Sequence, residues 1–356
     1  MPTQTIHFHG PTRTVDLRSD TVTRPTKAMY ERMLTAPIGD DALDRDPSVV
    51  ELEEYISSML GKSNGLFVPS CTMANLLAVL STSERNEQVF MESSSHMYNS
   101  ERGSATFTGV FYQGVPGTAG AMDLSILNDL LKPSSLGLNT SLIAMETTHN
   151  NAGGKVLEVS HMESLYALAS ANGILVHLDG ARFFNATTHL GIAPEQLARF
   201  ADTVSICLSK GLSAPVGAVL TGPRRIIEKA RKIRRMLGGT QRQAGVMAAA
   251  GLEAVQVMRL RLAEDHARAQ MFSKAVNALS PILSASMPET NIVQVELSNT
   301  SRDSSQWTED LEKFGLLVRP LGKARLRCVT HRHIEDEDIQ LAAIAFKNVL
   351  KIYHLC

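Results

Sequence analysis

The chain has 356 residues, of which 44% are hydrophobic and 20% are charged, and the charges nearly cancel to a formal net charge of −1. A chain of this length is predicted to form a large domain and a smaller one. The balanced charge argues against binding to nucleic acid or to anionic lipid, so we expect a small-molecule partner.

The first fifteen residues contain no long apolar run and no basic region followed by an apolar segment. We therefore expect neither a secretory signal nor a membrane span, and we predict a cytoplasmic location. His7 and His9 lie in this polar stretch and are assigned no role.

The four cysteines are scattered along the chain at positions 71, 207, 328 and 356. No two of them have the spacing of a metal site or of a redox motif, so we interpret them as free thiols in a reducing compartment.

From about residue 46 onward, helical stretches alternate with short apolar runs, which predicts an α/β fold with a mostly parallel sheet. The first clear helix begins at Pro47, with Asp46 as its cap, and ends at Gly61. The predicted buried strands are Leu66–Val68, Gln88–Met91, Ser141–Met145, Ile174–Leu178, Thr203–Leu208 and the shorter Gly217–Leu220.

Residues 226 to about 279 are helical in character, and the pattern then changes to alternating strands and helices. We predict a large domain over residues 1–280, including the N-terminal arm, and a small α+β domain over residues 281–356. Its expected strands and helices are Asn291–Leu297, Ser305–Phe314, Leu316–Arg319, Arg325–Val329 and Glu335–Tyr353.

Two polar segments follow buried strands, where ligands collect in an open α/β sheet. Asp179 follows the strand at 174–178, and Lys210 follows the strand at 203–208. A lysine can form an imine with the aldehyde of pyridoxal phosphate (PLP), and a carboxylate can pair with its protonated ring nitrogen. The alternative is a structural salt bridge between the two side chains at the edge of the sheet.

A phosphate group needs hydrogen-bond donors, and residues 69–75 follow a strand and open a helix. The hydroxyls of Ser70 and Thr72, with the backbone N–H groups around Cys71, are candidates to hold a phosphate monoester. The alternative is an ordinary N-terminal helix cap.

Two histidines, His96 and His149, also follow predicted strands. Each is a candidate to stack on a flat cofactor ring or to transfer a proton, and the alternative for each is a structural role. Arg182, Arg242 and Arg327 are candidates to bind a carboxylate or a phosphate through two parallel hydrogen bonds, against simple surface solvation.

Taken in order, these segments resemble the low-specificity L-threonine aldolases, a family of fold-type I PLP-dependent enzymes. The likeness extends from about Asp16 to His331. It rests on Asp16–Pro25, Gly39–Asp41 with Asp46-Pro47, Phe67–Leu76, Glu146–Lys155, His177–Arg182, Cys207–Leu212, and Gly238-Gly239 with Arg242-Gln243.

The resemblance implies a role for each of the matching residues in this chain. Lys210 would hold PLP, Asp179 would pair with the pyridine nitrogen, and His96 would stack on the ring. The substrate carboxylate would be held by Ser19, Arg182 and Arg327, with His149 and His96 near the β-hydroxyl. The phosphate would be bound by Thr72 and nearby backbone groups, with Arg242 reaching in from another subunit. The family also implies a homo-oligomer, a dimer or a tetramer, with its sites at the subunit interface.

The chain departs from the family pattern at several positions near the expected substrate pocket. Cys71 replaces a glycine in the phosphate turn, a change that the turn tolerates if the φ angle is negative. Leu43 and Ser100 replace aromatic residues, and Thr240-Gln241 replaces Gly-Met. The resemblance therefore implies a rebuilt pocket for the substrate side chain.

The resemblance implies an aldolase that cleaves L-threonine, L-allo-threonine or a related β-hydroxy-α-amino acid to glycine and an aldehyde. The general base is left open among His149, His96 and a bound water. An amino-acid racemase, for example an alanine racemase, is the alternative on the same scaffold, because PLP lowers the barrier to breaking several bonds at the α-carbon. A third hypothesis is a PLP-binding paralogue without catalysis.

Overall fold

A computed structural model describes residues 13–132, 137–300 and 302–353 of the chain, so His7, His9 and Cys356 lie outside the described residues. The strands are β1 Val15–Asp16, β2 Asn64–Val68, β3 Gln88–Glu92, β4 Phe111–Val115, β5 Gly117–Thr118, β6 Ala121–Met122, β7 Thr140–Glu146, β8 Leu175–Gly180, β9 Thr203–Cys207, β10 Ala218–Gly222, β11 Ser284–Ala285, β12 Ile292–Glu296, β13 Leu316–Leu317, β14 Arg319–Leu321 and β15 Arg325–Val329.

The α-helices are α1 Lys27–Thr35, α2 Pro47–Met59, α3 Cys71–Thr82, α4 His96–Asn99, α5 Ser104–Thr108, α6 Leu124–Leu130, α7 Val159–Ala171, α8 Phe183–Leu190, α9 Pro194–Ala198, α10 Arg224–Met236, α11 Gly245–Gln256, α12 Leu262–Asn277, α13 Ser304–Lys313 and α14 Asp336–Ile352. Among the described residues, no helix has both the length and the apolar character needed to cross a bilayer.

The larger of two compact units spans residues 23–263 and is built on a seven-stranded sheet. The strand order is β2-β10-β9-β8-β7-β3-β4. Strands β9, β8, β7, β3 and β4 run parallel to one another, whereas β10 is antiparallel to both β2 and β9. The predicted α/β class with a mostly parallel mixed sheet is confirmed.

The central strands form where the sequence contains continuous apolar runs. Every residue of β9 and β10 is buried, as are the last five residues of β7 and of β8, because helices cover both faces of the sheet. The edge strand β4 was not predicted, since its five residues alternate between exposed and half-buried until Val115. An edge strand with one solvated face lacks the apolar run that marks a central strand.

The start of helix α2 matches the prediction and has a further structural role. The carboxylate of Asp46 accepts hydrogen bonds from the N–H groups of Ser48 and Val49, at 3.0 and 3.3 Å, as an N-cap does. It also accepts from the N–H of Gly39 at 3.1 Å and from that of Gly245 at 2.9 Å. This buried carboxylate therefore joins three separate segments of the larger unit.

The smaller unit contains residues 13–22 and the chain from residue 264 onward. Its main sheet has the antiparallel order β11-β12-β15-β14, and a separate parallel pair joins β1 to β13. The predicted strand at 316–319 is divided between these two sheets. Trp307, Phe272 and Phe346 form the aromatic centre of the unit's core.

The structure divides the chain differently from the predicted boundary at 280/281. Helix α12 places Ala269, Phe272 and Val276 in the core of the smaller unit, so the division falls at 263/264. Val15 and Leu17 are buried in the same core, although they belong to the opposite end of the chain. Local sequence patterns do not reveal which of two cores an amphipathic helix covers, and this is the physical reason for the difference.

Candidate active site

Asp179 is a buried carboxylate near the carboxyl end of the central strand β8 and is 1% exposed. Its Oδ1 accepts a hydrogen bond from the N–H of Ala181 at 3.0 Å, and its Oδ2 accepts from the side-chain amide of Asn75 at 3.0 Å. Both carboxylate oxygens therefore accept a hydrogen bond from the protein. Asp179 is thus a buried carboxylate held in one orientation at the edge of the sheet.

Asn75, in helix α3, connects Asp179 to two buried side chains. Its Oδ1 accepts from the Ser205 hydroxyl at 2.9 Å and lies 3.1 Å from Nε2 of His177. Burial lowers the pKa of His177 to about 4, so its ring is neutral near pH 7. The amide oxygen of Asn75 can only accept, so Nε2 of His177 donates to it, and Nδ1 accepts from the Thr203 hydroxyl at 2.9 Å. These contacts hold the Asn75 amide in the orientation that donates to Asp179.

Lys210 lies in a tight turn directly after β9. Its backbone carbonyl accepts from the Thr23 hydroxyl at 2.8 Å and from the N–H of Ser213 at 2.9 Å. Ser213 has a φ angle of +65°, which closes the turn. Lys210 lines a pocket together with Arg182 and Cys207. Since β8 and β9 are adjacent and parallel, Asp179 and Lys210 belong to the same edge of the sheet.

The predicted phosphate turn begins helix α3. The Ser70 hydroxyl accepts from the N–H of Met73 at 3.2 Å, so Ser70 is the N-cap. Cys71 is the first helical residue and does not have a positive φ angle, so the glycine that it replaces is not required by the backbone. The first N–H groups of a helix have no partner within it and form an anion site together with the helix dipole.

His96 begins the short helix α4 and is half-buried. Its backbone N–H donates to Oε2 of Glu146 at 2.6 Å, and its ring Nδ1 lies 2.9 Å from Oε1 of Glu101. The hydrogen bond with Glu101 outweighs burial and raises the pKa of His96. With Nδ1 directed at the carboxylate, Nε2 is the ring atom available to a ligand.

Neither Glu101 nor Asn75 was predicted as a site residue, yet Glu101 contacts two residues that were, His96 and Thr72. Besides His96, its carboxylate lies 3.3 Å from the Thr72 hydroxyl and 3.3 Å from the amide nitrogen of Asn75. A ring nitrogen of His96, a carboxylate oxygen of Glu101 and a carboxylate oxygen of Asp179 lie within 4.8 Å of one another. Its signal in the sequence was its position, five residues after His96.

His149 follows β7 and is completely buried. Its Nε2 lies 3.1 Å from the carboxylate of Glu92, and its Nδ1 accepts from the N–H of Ala152 at 3.2 Å. The ring packs against Gly120, where an added Cβ atom would approach it to 2.7 Å. Both ring nitrogens are therefore engaged within the protein.

The three predicted arginines are placed differently. Arg182 is 8% exposed, precedes α8, and directs Nη1 toward the Asn150 side chain at 3.5 Å. Arg242 is exposed and lies 3.4 Å from the Asp40 carboxylate. Arg327 belongs to the smaller unit, is 5% exposed, and donates to the carbonyl of Arg18 at 3.2 Å.

The predicted ligand Ser19 also belongs to the smaller unit, where its hydroxyl accepts from the N–H of Thr21 at 3.2 Å. The positions that depart from the family pattern are largely on the surface. Leu43 is 75% exposed, Ser100 and Gln241 are exposed, and Thr240 is half-buried.

The sheet is mostly parallel, and Asp179 and Lys210 lie at the ends of adjacent strands beside the N-terminus of α3. This is the architecture of the fold-type I PLP-dependent enzymes. The family model described as beta-eliminating lyase matches residues 16–300. The chain is 38% identical to low-specificity L-threonine aldolase 1 of Arabidopsis thaliana, over 95% of this chain and 97% of the relative. It therefore belongs to the beta-eliminating lyase family and, within it, to the family of the low-specificity L-threonine aldolases.

Three further comparisons bear on the site. The chain is 29% identical to the alanine racemase TOXG of Cochliobolus carbonum, over 94% of this chain and 87% of the relative. A threonine aldolase structure from Leishmania major superposes with a TM-score of 0.80 at 16% identity, covering 94% and 99% of the two chains. A structure of SPT with PLP superposes with a TM-score of 0.76 at 16% identity, covering 96% of this chain and 89% of that chain.

Proposed function

We propose that this chain is a PLP-dependent aldolase that cleaves L-threonine, L-allo-threonine or a related β-hydroxy-α-amino acid to glycine and an aldehyde. The observation that carries the proposal is the placement of a buried, doubly hydrogen-bonded Asp179 and of Lys210 on adjacent parallel strands. The near full-length similarity to threonine aldolases supports it.

The residues of this edge fit PLP in their chemistry. Asp179 would pair with a protonated pyridine nitrogen, Lys210 would supply the amine, and the first turn of α3 would supply N–H donors for a phosphate. When bound, PLP supplies an electron sink for the electron pair released as the Cα–Cβ bond breaks.

His96 is the proposed base for the β-hydroxyl proton. Glu101 holds the ring proton on Nδ1, so that the lone pair of Nε2 can accept a proton from the substrate. His149 is less suited to this role, because its ring is buried and both nitrogens have partners. In this arrangement Glu101 is a positioning residue, since it acts on the substrate through His96.

The remaining assignments follow from the resemblance. Arg182, Arg327 and Ser19 are proposed to hold the substrate carboxylate, and Ser70, Cys71, Thr72 and Arg242 to hold the phosphate. We further infer a homo-oligomer, a dimer or a tetramer with its sites at the subunit interface, and a cytoplasmic location.

The alternative reaction is racemisation of a small amino acid such as alanine. It is favoured by the similarity to an alanine racemase. Racemisation needs a proton donor or acceptor on each face of the α-carbon. Lys210 would serve one face and a histidine or a water the other.

One assay separates the two reactions. The PLP-loaded protein is incubated separately with L-allo-threonine and with L-alanine, and aldehyde, glycine and the ratio of alanine enantiomers are measured. We expect aldehyde and glycine in equal amounts without D-alanine. D-alanine with little aldehyde would establish the racemase instead.

Lys210→Ala tests both reactions at once, because the proposed aldolase and the alternative racemase both require the lysine. We expect it to abolish aldehyde release and racemisation, and retention of either activity would contradict the assignment of Lys210. A visible absorption band that shifts when amino acid is added excludes the paralogue without catalysis.

A further inference from the structure

Two cysteines that are far apart in sequence meet beside the proposed cofactor site. Cys71 is the first residue of α3, and Cys207 is the last residue of β9. Cys71 Sγ lies 3.6 Å from the Ser205 hydroxyl, and Ser205 precedes Cys207 by two positions on β9, so the side chains of Ser205 and Cys207 point to the same face of the sheet. The Cys207 thiol is therefore beside the Cys71 thiol, and its Sγ lies 3.7 Å from the Ser209 hydroxyl. The spacing in sequence gave no sign of this pair.

The sheet topology explains the encounter. Cys207 is opposite Ala218 of β10, and Ala218 is opposite Val68 of β2, so β2 ends two strands away from β9. Helix α3 begins three residues after Val68 and crosses back over the edge of β9. This crossing places the side chain at position 71 next to the end of β9.

The surroundings of the pair favour oxidation. Cys71 is partly exposed, and Cys207 lines the pocket that also contains Lys210. The neighbouring Cys71 thiol, together with the positive charge of Lys210, lowers the pKa of Cys207, whereas the neighbouring Cys207 thiol and burial raise the pKa of Cys71. A thiolate next to a neutral thiol is the arrangement from which a disulfide forms.

We propose that Cys71 and Cys207 are a redox-modification site that hydrogen peroxide converts to a reversible disulfide, and that this disulfide and the bound cofactor exclude each other. The second half of the proposal rests on the proposed function, because it takes the first turn of α3 as the phosphate site.

Hydrogen peroxide is the two-electron oxidant in this reaction. The Cys207 thiolate attacks one oxygen of hydrogen peroxide; the O–O bond breaks, and a sulfenic acid and water form. The Cys71 sulfur then attacks the sulfur of the sulfenic acid, forming the S–S bond as the S–O bond breaks and a second water leaves. Two thiols lose two electrons in total, and one peroxide is reduced to two waters.

A disulfide would disturb the cofactor site at both of its ends. Sulfur atoms in a disulfide are about 2 Å apart, which is closer than two unbonded sulfur atoms approach, so the first turn of α3 must move toward β9. That movement displaces the N–H groups of the phosphate turn. It also disturbs the hydrogen bond from Ser205 to Asn75, and Asn75 positions Asp179. Conversely, a phosphate on this turn holds it in place and shields the thiols.

The test compares oxidation of the full-length protein with and without PLP. The reduced protein is treated with hydrogen peroxide, and its intact mass and proteolytic peptides are followed in time. We expect a loss of two hydrogen atoms and a peptide linking positions 71 and 207. We also expect the linkage to form at least about tenfold more slowly in the PLP-loaded protein and to reverse with dithiothreitol.

PLP affinity is then measured for the reduced and oxidised forms by the absorbance that remains with the protein after ultrafiltration. We expect at least about tenfold weaker binding after oxidation in the wild type, and less than about twofold change on peroxide treatment in Cys207→Ser, which lacks the thiol that attacks the peroxide. Cys328→Ser is the matched control, because Cys328 is a buried free thiol in the smaller unit, and it should behave as the wild type.

The outcomes separate this inference from the proposed function. Sulfinic acid on one cysteine without a linked peptide overturns the disulfide, and equal rates of linkage with and without PLP overturn the mutual exclusion. If the reduced wild type and Lys210→Ala both fail to bind PLP, the proposed function fails. The peptide map of the same samples then still decides whether the disulfide forms.

Discussion

His96 and His149 follow the neighbouring parallel strands β3 and β7 and have carboxylates within hydrogen-bonding distance, yet the fold gives them different chemistry. The His96 side chain is 39% exposed and uses one ring nitrogen to contact Glu101, whereas His149 is completely buried with both nitrogens engaged. A histidine that follows a strand and contacts a carboxylate is thus not necessarily a residue that transfers protons. The number of engaged ring nitrogens decides which histidine can meet a substrate.

The largest effect that this comparison predicts is on catalysis by His96→Phe. The phenyl ring preserves a flat surface for stacking but cannot accept a proton, so we expect kcat to fall by about 10²- to 10⁴-fold while PLP remains bound. Aldehyde release under saturating substrate measures kcat, and the visible absorbance measures PLP. A decrease in kcat of less than about threefold would show that His96 is not the base and would leave His149 or a bound water as the candidates.

His149→Ala is expected to act on stability instead. It removes a buried ring and leaves the Glu92 carboxylate and the Ala152 N–H without that partner, which costs about 1–3 kcal/mol in the free energy of unfolding. Urea denaturation of the PLP-free protein, followed by circular dichroism, measures the loss. At a temperature where the variant is folded, kcat should change by less than about tenfold; a larger loss with unchanged stability would reverse the roles of the two histidines.

Glu101→Gln is expected to have the smallest effect on kcat, and it tests the role of His96 through the pH dependence of kcat. Glu101 raises the pKa of His96, so the neutral, proton-accepting ring is lost as the pH falls through this raised pKa. Without the charge, the pKa returns toward its ordinary value, and the acid limb of the kcat profile should move to lower pH, with less than about tenfold change at the plateau.

The control for this profile is Glu31→Gln, which changes the same chemical group at the surface. Glu31 forms an exposed pair with Lys27 at 3.5 Å, so we expect an unchanged acid limb. An identical profile for the wild type and Glu101→Gln would show that His96 does not set the acid limb.

Much of the larger unit was predictable because its strands are buried on both faces. Continuous apolar runs located β3, β7, β8 and β9, and the polar residues after them located Asp179, Lys210, His96 and His149. The cap of α2 was predictable for a similar reason, since an N-cap contacts residues only two or three positions away.

The contacts that organise the site were not predictable, because they depend on which strands become neighbours. Asn75 reaches Asp179 across 104 positions and Ser205 across 130. Glu101 lies after the short helix α4, in a stretch with no apolar periodicity, and its partners Thr72 and Asn75 come from α3. The meeting of Cys71 with Cys207 requires the strand order itself.

The pairing of β1 with β13 has a consequence for how the chain is made. Val15 and Leu316 are register partners, so the ribosome must add about 300 residues before the first strand finds its neighbour. At roughly 5–20 residues per second, this takes about 15–60 s. The contiguous stretch 23–263 can collapse during that interval, whereas the smaller unit stays incomplete until residues 316–329 have been synthesised. Its early segment, with Val15 and Leu17 still uncovered, is the part of the nascent polypeptide that chaperones would have longest to bind.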